Sequence, residues 1–293
     1  MATKKKVMLI IAVIVSLIVF ILEYSGSFEF LSNKLLLTYD FMGEDKLIFV
    51  DVDYGNCAIV QSGNKTAIIN FGGIKDGGNS LVKAIRKYRI TKVDYAIITV
   101  CNENHLGGFM ALCDLVDIDK VIIPNIEDFT KENNITSLTV KDKILNDCSY
   151  ELVEPFKPYM LGNFALAPVY YNAKALNSAG NAVLYKISLN NHSAIIGGSF
   201  HKDITYNLLS SDLNLKADIF LLPGFSDNSN WNLPFITTLN AKYLVSSSSF
   251  KNDAEIQLDF EFLKQKHKIY RTDVNGDITF YFNKDELKVF SER

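Results

Sequence analysis

The pattern of apolar and polar positions separates an unbroken apolar start from a strand-rich body with helices set between the strands. Val7 to Leu22 is an apolar run in which Ser16 is the one mild polar break. From residue 46 onward the runs are short and alternate in type. Leu47 to Val52 and Cys57 to Val60 read as two strands joined by Asp53-Tyr54-Gly55-Asn56. Ser62-Gly63-Asn64-Lys65 is a hairpin turn, Thr66 to Asn70 is the returning strand, and Phe71-Gly72-Gly73 breaks it. Leu81, Ala84, Ile85 and Tyr88 have helical spacing, so Ser80 to Arg89 is a helix. Tyr95 to Val100 is a strand that runs into a polar loop, Cys101 to His105, and Gly107-Gly108 then leads into an apolar helix, Phe109 to Leu115.

Further along, Lys120 to Pro124 is a strand stopped by its proline, and Asn125 to Asp147 is polar with helical patches. From Tyr150 the pattern is mostly strand. Phe164 to Val169 precedes a polar loop, Asn172 to Asn181, and Val183 to Leu189 with Ser193 to Ile196 make a hairpin about Asn190-Asn191. Gly197-Gly198-Ser199 opens a helix, Asp203 to Ser210. A strand (Ala217 to Leu222) ends in Pro223-Gly224-Phe225-Ser226-Asp227. A helix (Leu233 to Leu239), a strand (Lys242 to Ser246), a helix near Ala254 to Lys264 and strands at Lys268 to Arg271 and Ile278 to Phe282 close the chain. Strand blocks interleaved with helices suit two sheets packed face to face with helices outside, an α/β sandwich. With no repeat and no linker, residues 46–293 read as one domain after a spacer, 25–45, and an anchor, 1–24.

The anchor follows from charge and length together. Lys4, Lys5 and Lys6 precede the apolar run and place the N-terminus in the cytoplasm. A helix over residues 7–22 spans about 24 Å, slightly short of a bilayer core, with snorkelling lysines at one end and Tyr24 at the other interface. The competing reading is a cleaved signal peptide, but Tyr24-Ser25-Gly26-Ser27 is a poor cleavage site. Both readings export the domain, and the first gives it the lipid bilayer as a partner. The chain of 293 residues carries a formal net charge of −3 and no basic block beyond those lysines, so charge offers no nucleic-acid surface. Cys57, Cys101, Cys113 and Cys148 have no zinc-ribbon spacing; Cys57 and Cys113 lie in apolar patterns and read as buried hydrophobes. If the domain is exported a disulfide is possible, with no pairing readable from spacing.

The segment Thr99 to Gly108 resembles the metal loop of the metallo-β-lactamase fold, Thr-His-x-His-x-Asp-His-x-Gly-Gly. Thr99, His105, Gly107 and Gly108 match, while Val100, Asn102 and Asn104 stand where that pattern has His, His and Asp. The order of landmarks is similar to the ComEC-type domain of DNA-uptake (competence) proteins, from about Leu47 to Phe282. Phe49-Val50-Asp51-Val52-Asp53-Tyr54-Gly55-Asn56 lies on Phe-Leu-Asp-Val-Gly-Gln-Gly-Asp, and Asn70-Phe71-Gly72-Gly73 on Ile-Asp-Gly-Gly. Asn177 to Lys186 lies on Asn-x-x-Ser-Leu-Val-Leu, and Tyr270-Arg271-Thr272-Asp273 with Gly276 on Tyr-Arg-Thr-Asp-x-x-Gly. The resemblance implies an αββα fold. It also implies a metal site whose acids and imidazoles are mostly gone: Asn56 for Asp, Phe71 or Asn70 for Asp, Ser199 or Gly198 for Asp, and Gly224-Phe225 for His-His.

Zinc hydrolysis needs about three imidazole or deprotonated ligands and an open position. One imidazole among amides supplies neither the charge nor the basicity, so the expectation is no catalytic residue, no metal and no cofactor, with zinc or manganese as the ions if a site survives. The vestigial pocket would comprise Asn56, Asn102, Asn104, His105, Ser199 and Asp227, able to hold an unknown protein or polar ligand. Rival arrangements are a repurposed site of Cys101, His105, His201 and Asp227, or a Cys101–His105 nucleophile pair lacking an orienting acid. His192 and His267 read as solvated, Asp51 and Asp53 as turn devices as readily as site residues, and Phe225 and Trp231 as packing. The leading reading is an exported, membrane-anchored binding or scaffold module. The alternatives are a phosphodiesterase- or nuclease-type hydrolase with a rearranged metal site, and a DNA-uptake accessory, in which nucleic acid enters as a partner by resemblance only.

Overall fold

The computed structural model describes residues 44–76, 78–132, 134–171, 182–200, 202–223, 232–247 and 261–293. The anchor of residues 7–22 and most of the spacer lie outside these. Among the described residues no helix is long and apolar enough to cross a membrane. Residues Glu44–Arg293 pack as one compact unit.

The first half of that unit begins with an antiparallel meander: β1 (Lys46–Phe49), β2 (Ala58–Ser62) and β3 (Lys65–Ile69). A helix, α1 (Asn79–Lys87), crosses to β4 (Lys92–Ile97), which lies parallel to β3. A single helical turn, α2 (Glu103–Leu106), and α3 (Phe109–Leu115) lead to β5 (Asp117–Ile123). The helices α4 (Ile126–Lys131) and α5 (Ile135–Asp147) then carry the chain to β6 (Tyr150–Leu152).

The second half opens with β7 (Tyr159–Leu161), β8 (Phe164–Tyr170), β9 (Leu184–Leu189) and β10 (His192–Ile196), all antiparallel neighbours. The β9–β10 turn is tight because Asn190 takes φ 53°, a conformation asparagine tolerates well. Next come α6 (Lys202–Leu209), β11 (Ile219–Leu221), α7 (Leu233–Leu239), β12 (Tyr243–Ser246) and β13 (Lys268–Arg271), with β10 to β13 parallel. The turn α8 (Thr272–Asn275) returns the chain to the first sheet through β14 (Ile278–Phe282) and β15 (Leu287–Ser291). The strand orders are β15-β14-β1-β2-β3-β4-β5-β6 and β13-β12-β11-β10-β9-β8-β7.

Alternation along the strands sorts side chains into layers. Leu47 and Phe49 of β1 face Leu166 and Ile187 of the other sheet, whereas Ile48 and Val50 turn outward to Leu81, Ile85 and Phe109 of the helices. Ile195, Phe220 and Leu244 likewise meet Ile204, Phe235 and Leu239 on the far side. Each fully buried side chain of this kind contributes about 1.5–3 kcal/mol against the entropy of ordering. The result is helix, sheet, sheet, helix, the expected sandwich.

Four expectations need correction. The strand predicted as Tyr95 to Val100 is β4, ending at Ile97, because the Thr99 N–H leaves the ladder for Asn70 Oδ1 at 3.0 Å. The strand predicted to Val52 stops at Phe49, since the Asp51 N–H goes to Asp277 Oδ1 at 2.8 Å. The polar loop before Gly107 ends in a helical turn from Glu103, and a closing strand, β15, follows the one expected last.

Candidate functional site

Three loops leave the carboxyl ends of β1, β3 and β4 at one end of the first sheet, and the β10 loop arrives there from the second. Outside strand carboxyl ends is where open α/β sheets place ligands. Four backbone hydrogen bonds join the first three loops. Gly72 N–H donates to Asn56 O (3.0 Å), Gly73 N–H to Tyr54 O (2.7 Å), Phe71 N–H to His105 O (2.8 Å) and Gly107 N–H to Gly72 O (2.8 Å). Such close approach needs residues without a side chain. A Cβ at Gly107 would stand 2.2 Å from the carbonyl of Gly73, and one at Gly55, where φ is +101°, 2.2 Å from Asn104 O. Gly55, Gly73 and Gly107 are points where these main chains touch.

His105 lies at the centre, fully buried. Its Nδ1 is 2.5 Å from Asn102 Oδ1, and that oxygen also accepts the Asn104 N–H at 3.2 Å, which fixes the amide's orientation. Nδ1 therefore carries the proton. Nε2 is left as acceptor and takes the Ser199 N–H at 3.0 Å, with Asn56 Nδ2 at 3.4 Å. Burial pushes this imidazole down to about 3, so it is neutral at physiological pH.

Behind it the amides close on one another. Asn70 Nδ2 donates to Asn56 Oδ1 (2.7 Å) and Thr99 Oγ1 (2.8 Å), while Thr99 N–H and its hydroxyl return to Asn70 Oδ1, both at 3.0 Å. Asn56 Nδ2 also reaches Gly197 O at 3.5 Å. Asn70 takes φ 58°, which turns its side chain into the network and sends Phe71 into the outer core. Of the two positions the sequence left open, Asn70 is the one at the site. Ser199 Oγ is buried with no hydrogen-bond partner among the described residues.

The structure thus brings together Asn56, Asn102, His105 and Ser199. Asn104 joins through its backbone, its N–H on Asn102 and its carbonyl against Gly55. Asp227, His201, Phe225 and Trp231 lie outside the described residues. Asn70 and Thr99 are the members the sequence reading did not place in the pocket. The signal for Asn70 was an asparagine before Gly-Gly, and that for Thr99 a buried hydroxyl at a strand end. Cys101 is no partner of His105: it packs into the outer apolar layer, its carbonyl accepts Ser137 Oγ at 2.8 Å, and burial drives its thiol well above the ordinary range. Nor are the other histidines simply solvated. His192 is partly buried, its ring edge-on to Phe282 and Nδ1 3.5 Å from Asp218, and His267 Nδ1 contacts Ala241 O at 2.6 Å.

Asp51 belongs to a second, charged cluster. It pairs with Arg293 at 2.6 Å, and its N–H is held by Asp277. Asp277 also takes Lys87 Nζ (2.6 Å) and Tyr88 OH (2.8 Å), and Lys87 reaches Glu292 at 3.2 Å. Asp273 is held by Arg271 through two contacts, at 3.0 and 2.7 Å. Asp51, Asp277 and Glu292 clasp the C-terminal segment to the end of β1 and to α1, while the Asp273 pair is local to α8. The Asp53 side chain is exposed, and only its N–H reaches the charged cluster, on Asp51 Oδ1 at 3.5 Å.

The fold implied by the metal-loop resemblance carries metal ions, and the described residues about His105 do not fit one. A zinc–imidazole bond is about 2.0–2.1 Å long. The only lone pair His105 offers is aimed at the Ser199 nitrogen, 3.0 Å away. A Cβ at Gly198 would lie 2.7 Å from Nε2, so the β10 loop already fills the ground beside it. The surrounding donors are neutral amides, and among the described residues no three His, Cys, Asp or Glu side chains are grouped to hold an ion.

No family model matches the sequence, and no curated protein matches it. Solved structures do. The metallo-β-lactamase fold protein YhfI from Bacillus subtilis aligns over 82% of this chain and 100% of its own, with TM-score 0.53 and 12% identity. CmlA, a diiron β-hydroxylase from Streptomyces venezuelae, aligns over 82% of this chain and 54% of its own, with TM-score 0.54 and 11% identity. Likeness at that identity speaks to architecture, and with the strand order and the glycine-joined loops it means that the chain has the metallo-β-lactamase fold.

Proposed function

We propose that this domain binds rather than hydrolyses: a metallo-β-lactamase fold that has given up its metal and serves as a recognition or scaffold module at the outer face of the cell membrane. The observation that carries the reading is the state of His105. Both ring nitrogens are committed to protein groups, and the neighbours that would have to supply negative charge are asparagines. Catalysis through a metal-bound water needs ligands that lower its pKa to about 7, and neutral amides do not. The residue left over for a ligand is Ser199, whose buried hydroxyl lacks a partner among the described residues. A polar group on a partner protein or small molecule would complete it.

Placement at the membrane rests on the sequence, on Lys4 to Lys6 before the apolar run of residues 7–22. Descent from a ComEC-type DNA-uptake domain rests on the order of the motifs. The deciding experiment is elemental analysis of the full-length chain in detergent, loaded with zinc or manganese and desalted. The expected result is less than about a tenth of an equivalent of retained metal. One or two equivalents, lost in His105→Ala, would overturn the proposal in favour of a hydrolase with a rearranged site, and phosphodiester cleavage would be assayed next. Single-stranded DNA binding with a steep salt dependence would favour the DNA-uptake accessory instead.

A further inference from the structure

Residues 77–93 hold five cations, Lys83, Arg86, Lys87, Arg89 and Lys92, and no acid, in a chain whose net charge is −3. Their helical spacing keeps them from forming a block in the sequence. α1 gathers Lys83, Arg86 and Lys87 on its solvent side, opposite Leu81, Ala84 and Ile85, which pack into the outer layer. Two of the five are neutralised by the chain itself: Lys87 by Asp277 and Glu292, and Lys92 by Asp119 at 2.7 Å. Lys83, Arg86 and Arg89 are exposed, and none has an ion pair among the described residues. The backbone at Arg89 adds a second observation. The Ile90 N–H donates to Ile85 O (2.9 Å) and the Arg89 N–H to Arg86 O (3.2 Å), which closes α1 in a Schellman turn. Arg89 stands at the left-handed position of that turn, φ 51°, where glycine is the usual residue. Compensation of the helix dipole accounts for Arg86 and Lys87 in the last turn. It leaves Lys83, a turn earlier, unexplained, and a dipole already served by two cations gives no reason for a third where glycine fits best. An unpaired cation kept there against the preference of the backbone calls for a negatively charged partner.

We propose that Lys83, Arg86 and Arg89 form a docking face for the anionic phospholipid headgroups of the membrane that carries the chain. The inference rests on the membrane placement proposed above and is independent of whether the pocket takes a metal. The 21 residues between Leu22 and Glu44 can span up to about 70 Å, enough for any face of the domain to reach the bilayer. Lysine and arginine close to an anionic leaflet are drawn to it, within a distance that salt shortens. Lipid fits this face better than single-stranded nucleic acid, because the face offers no open ring on which a base could stack. Tyr88 gives its hydroxyl to Asp277 at 2.8 Å, and the Lys87 ammonium lies 4.9 Å from its ring centroid.

The test is to reconstitute the full-length chain into nanodiscs of phosphatidylcholine, with and without phosphatidylglycerol, and to follow lysine acylation by peptide mapping. Lys83 should react several-fold more slowly in the anionic discs, and high salt should abolish the difference. The exposed Lys288 on β15 should react alike in both. Arg86→Glu combined with Arg89→Glu should remove the protection of Lys83. Arg89→Gly should weaken that protection while raising the thermal midpoint by roughly 2–4 °C, a combination that misfolding cannot imitate. Equal reactivity of Lys83 in the two kinds of disc would overturn the proposal, as would protection by a single-stranded oligonucleotide in place of the anionic lipid. Retention in neutral discs reports the anchor alone. A chain that neutral discs lose and anionic discs hold would remove the anchor and keep the docking face, so the two readings fail separately.

Discussion

The loop after β1 feeds two clusters of opposite character within five residues. Asp51 enters a network of full charges with Asp277, Glu292, Lys87 and Arg293, and Asn56 enters a network of amides, a hydroxyl and one neutral imidazole. Both are knitted at the same end of the first sheet. Set against the family pattern, the difference follows one rule. Asp51 and Asp273 stand where that pattern also has acids, and each meets an arginine of this chain. Asn56, Asn70 and Asn104 stand where its acids face the metal loop, and there each amide or its backbone bonds to the chain itself. A buried carboxylate without a counter-charge is costly, whereas an amide of the same size is satisfied by neighbouring amides. In these two clusters a charge is present where the chain supplies a counter-charge, and amides stand where it supplies none.

The largest effect should come from opening the charged side. Asp277 is almost buried and accepts from Lys87, Tyr88 and the Asp51 N–H at once. Asp277→Ala removes the acceptor shared by a phenol and a peptide N–H and leaves Lys87 only its longer contact with Glu292, and should cost about 3 kcal/mol in urea unfolding. Asp277→Asn, which keeps an acceptor, should cost about half as much. Equal losses in the two variants would mean that charge has no role in the clasp.

The neutral side is tested by acid. The His105 imidazole, held down to about 3 in the folded chain, binds its proton at ordinary pH only when unfolded. Its contribution is complete above about pH 6.5 and is lost as pH falls toward 3, amounting to about 3 kcal/mol by pH 4. His105→Gln removes that component, so the stability gap between wild type and variant should narrow from pH 7 to pH 4. In nitrogen-15 spectra the wild-type ring should stay in its Nδ1-protonated neutral form over the same range. A ring that titrates near 6.5 would mean that the pocket is open to water.

Most of the architecture was legible because burial on alternate residues is strong here. Ile48 and Phe49 point to opposite layers, and Leu81, Ala84 and Ile85 mark one helix face. Strand ends were less so, because a side chain from far along the chain decides them: Asn70 ends β4 and Asp277 ends β1. Pocket membership was legible for His105 and Asn56 through the motif. It stayed open between Phe71 and Asn70 because the choice turns on a left-handed backbone at Asn70, which no local pattern announces. The charged clasp was hidden for a similar reason, its partners lying more than 180 residues apart.

The smallest effect separates the exposed rim of the clasp from its buried centre. Arg293 is more than half exposed, and its pairing with Asp51 is therefore screened. Arg293→Ala should cost no more than about 0.5 kcal/mol at neutral pH. Its pH dependence carries more information than its size. Burial raises the Asp51 carboxyl above the ordinary range, while the Asp53 N–H and the Arg293 guanidinium pull it back. Without Arg293 that carboxyl should rise further. A folded-state pKa above the unfolded one means that the ionised group costs stability above that pKa and costs nothing below it. The penalty of Arg293→Ala should therefore be full near pH 7 and vanish in acid, where Asp51 is protonated and needs no cation. A penalty that persists unchanged at pH 3 would show that Arg293 acts through its contact with the Thr272 carbonyl, at 3.3 Å, and that the rim of the clasp owes little to charge.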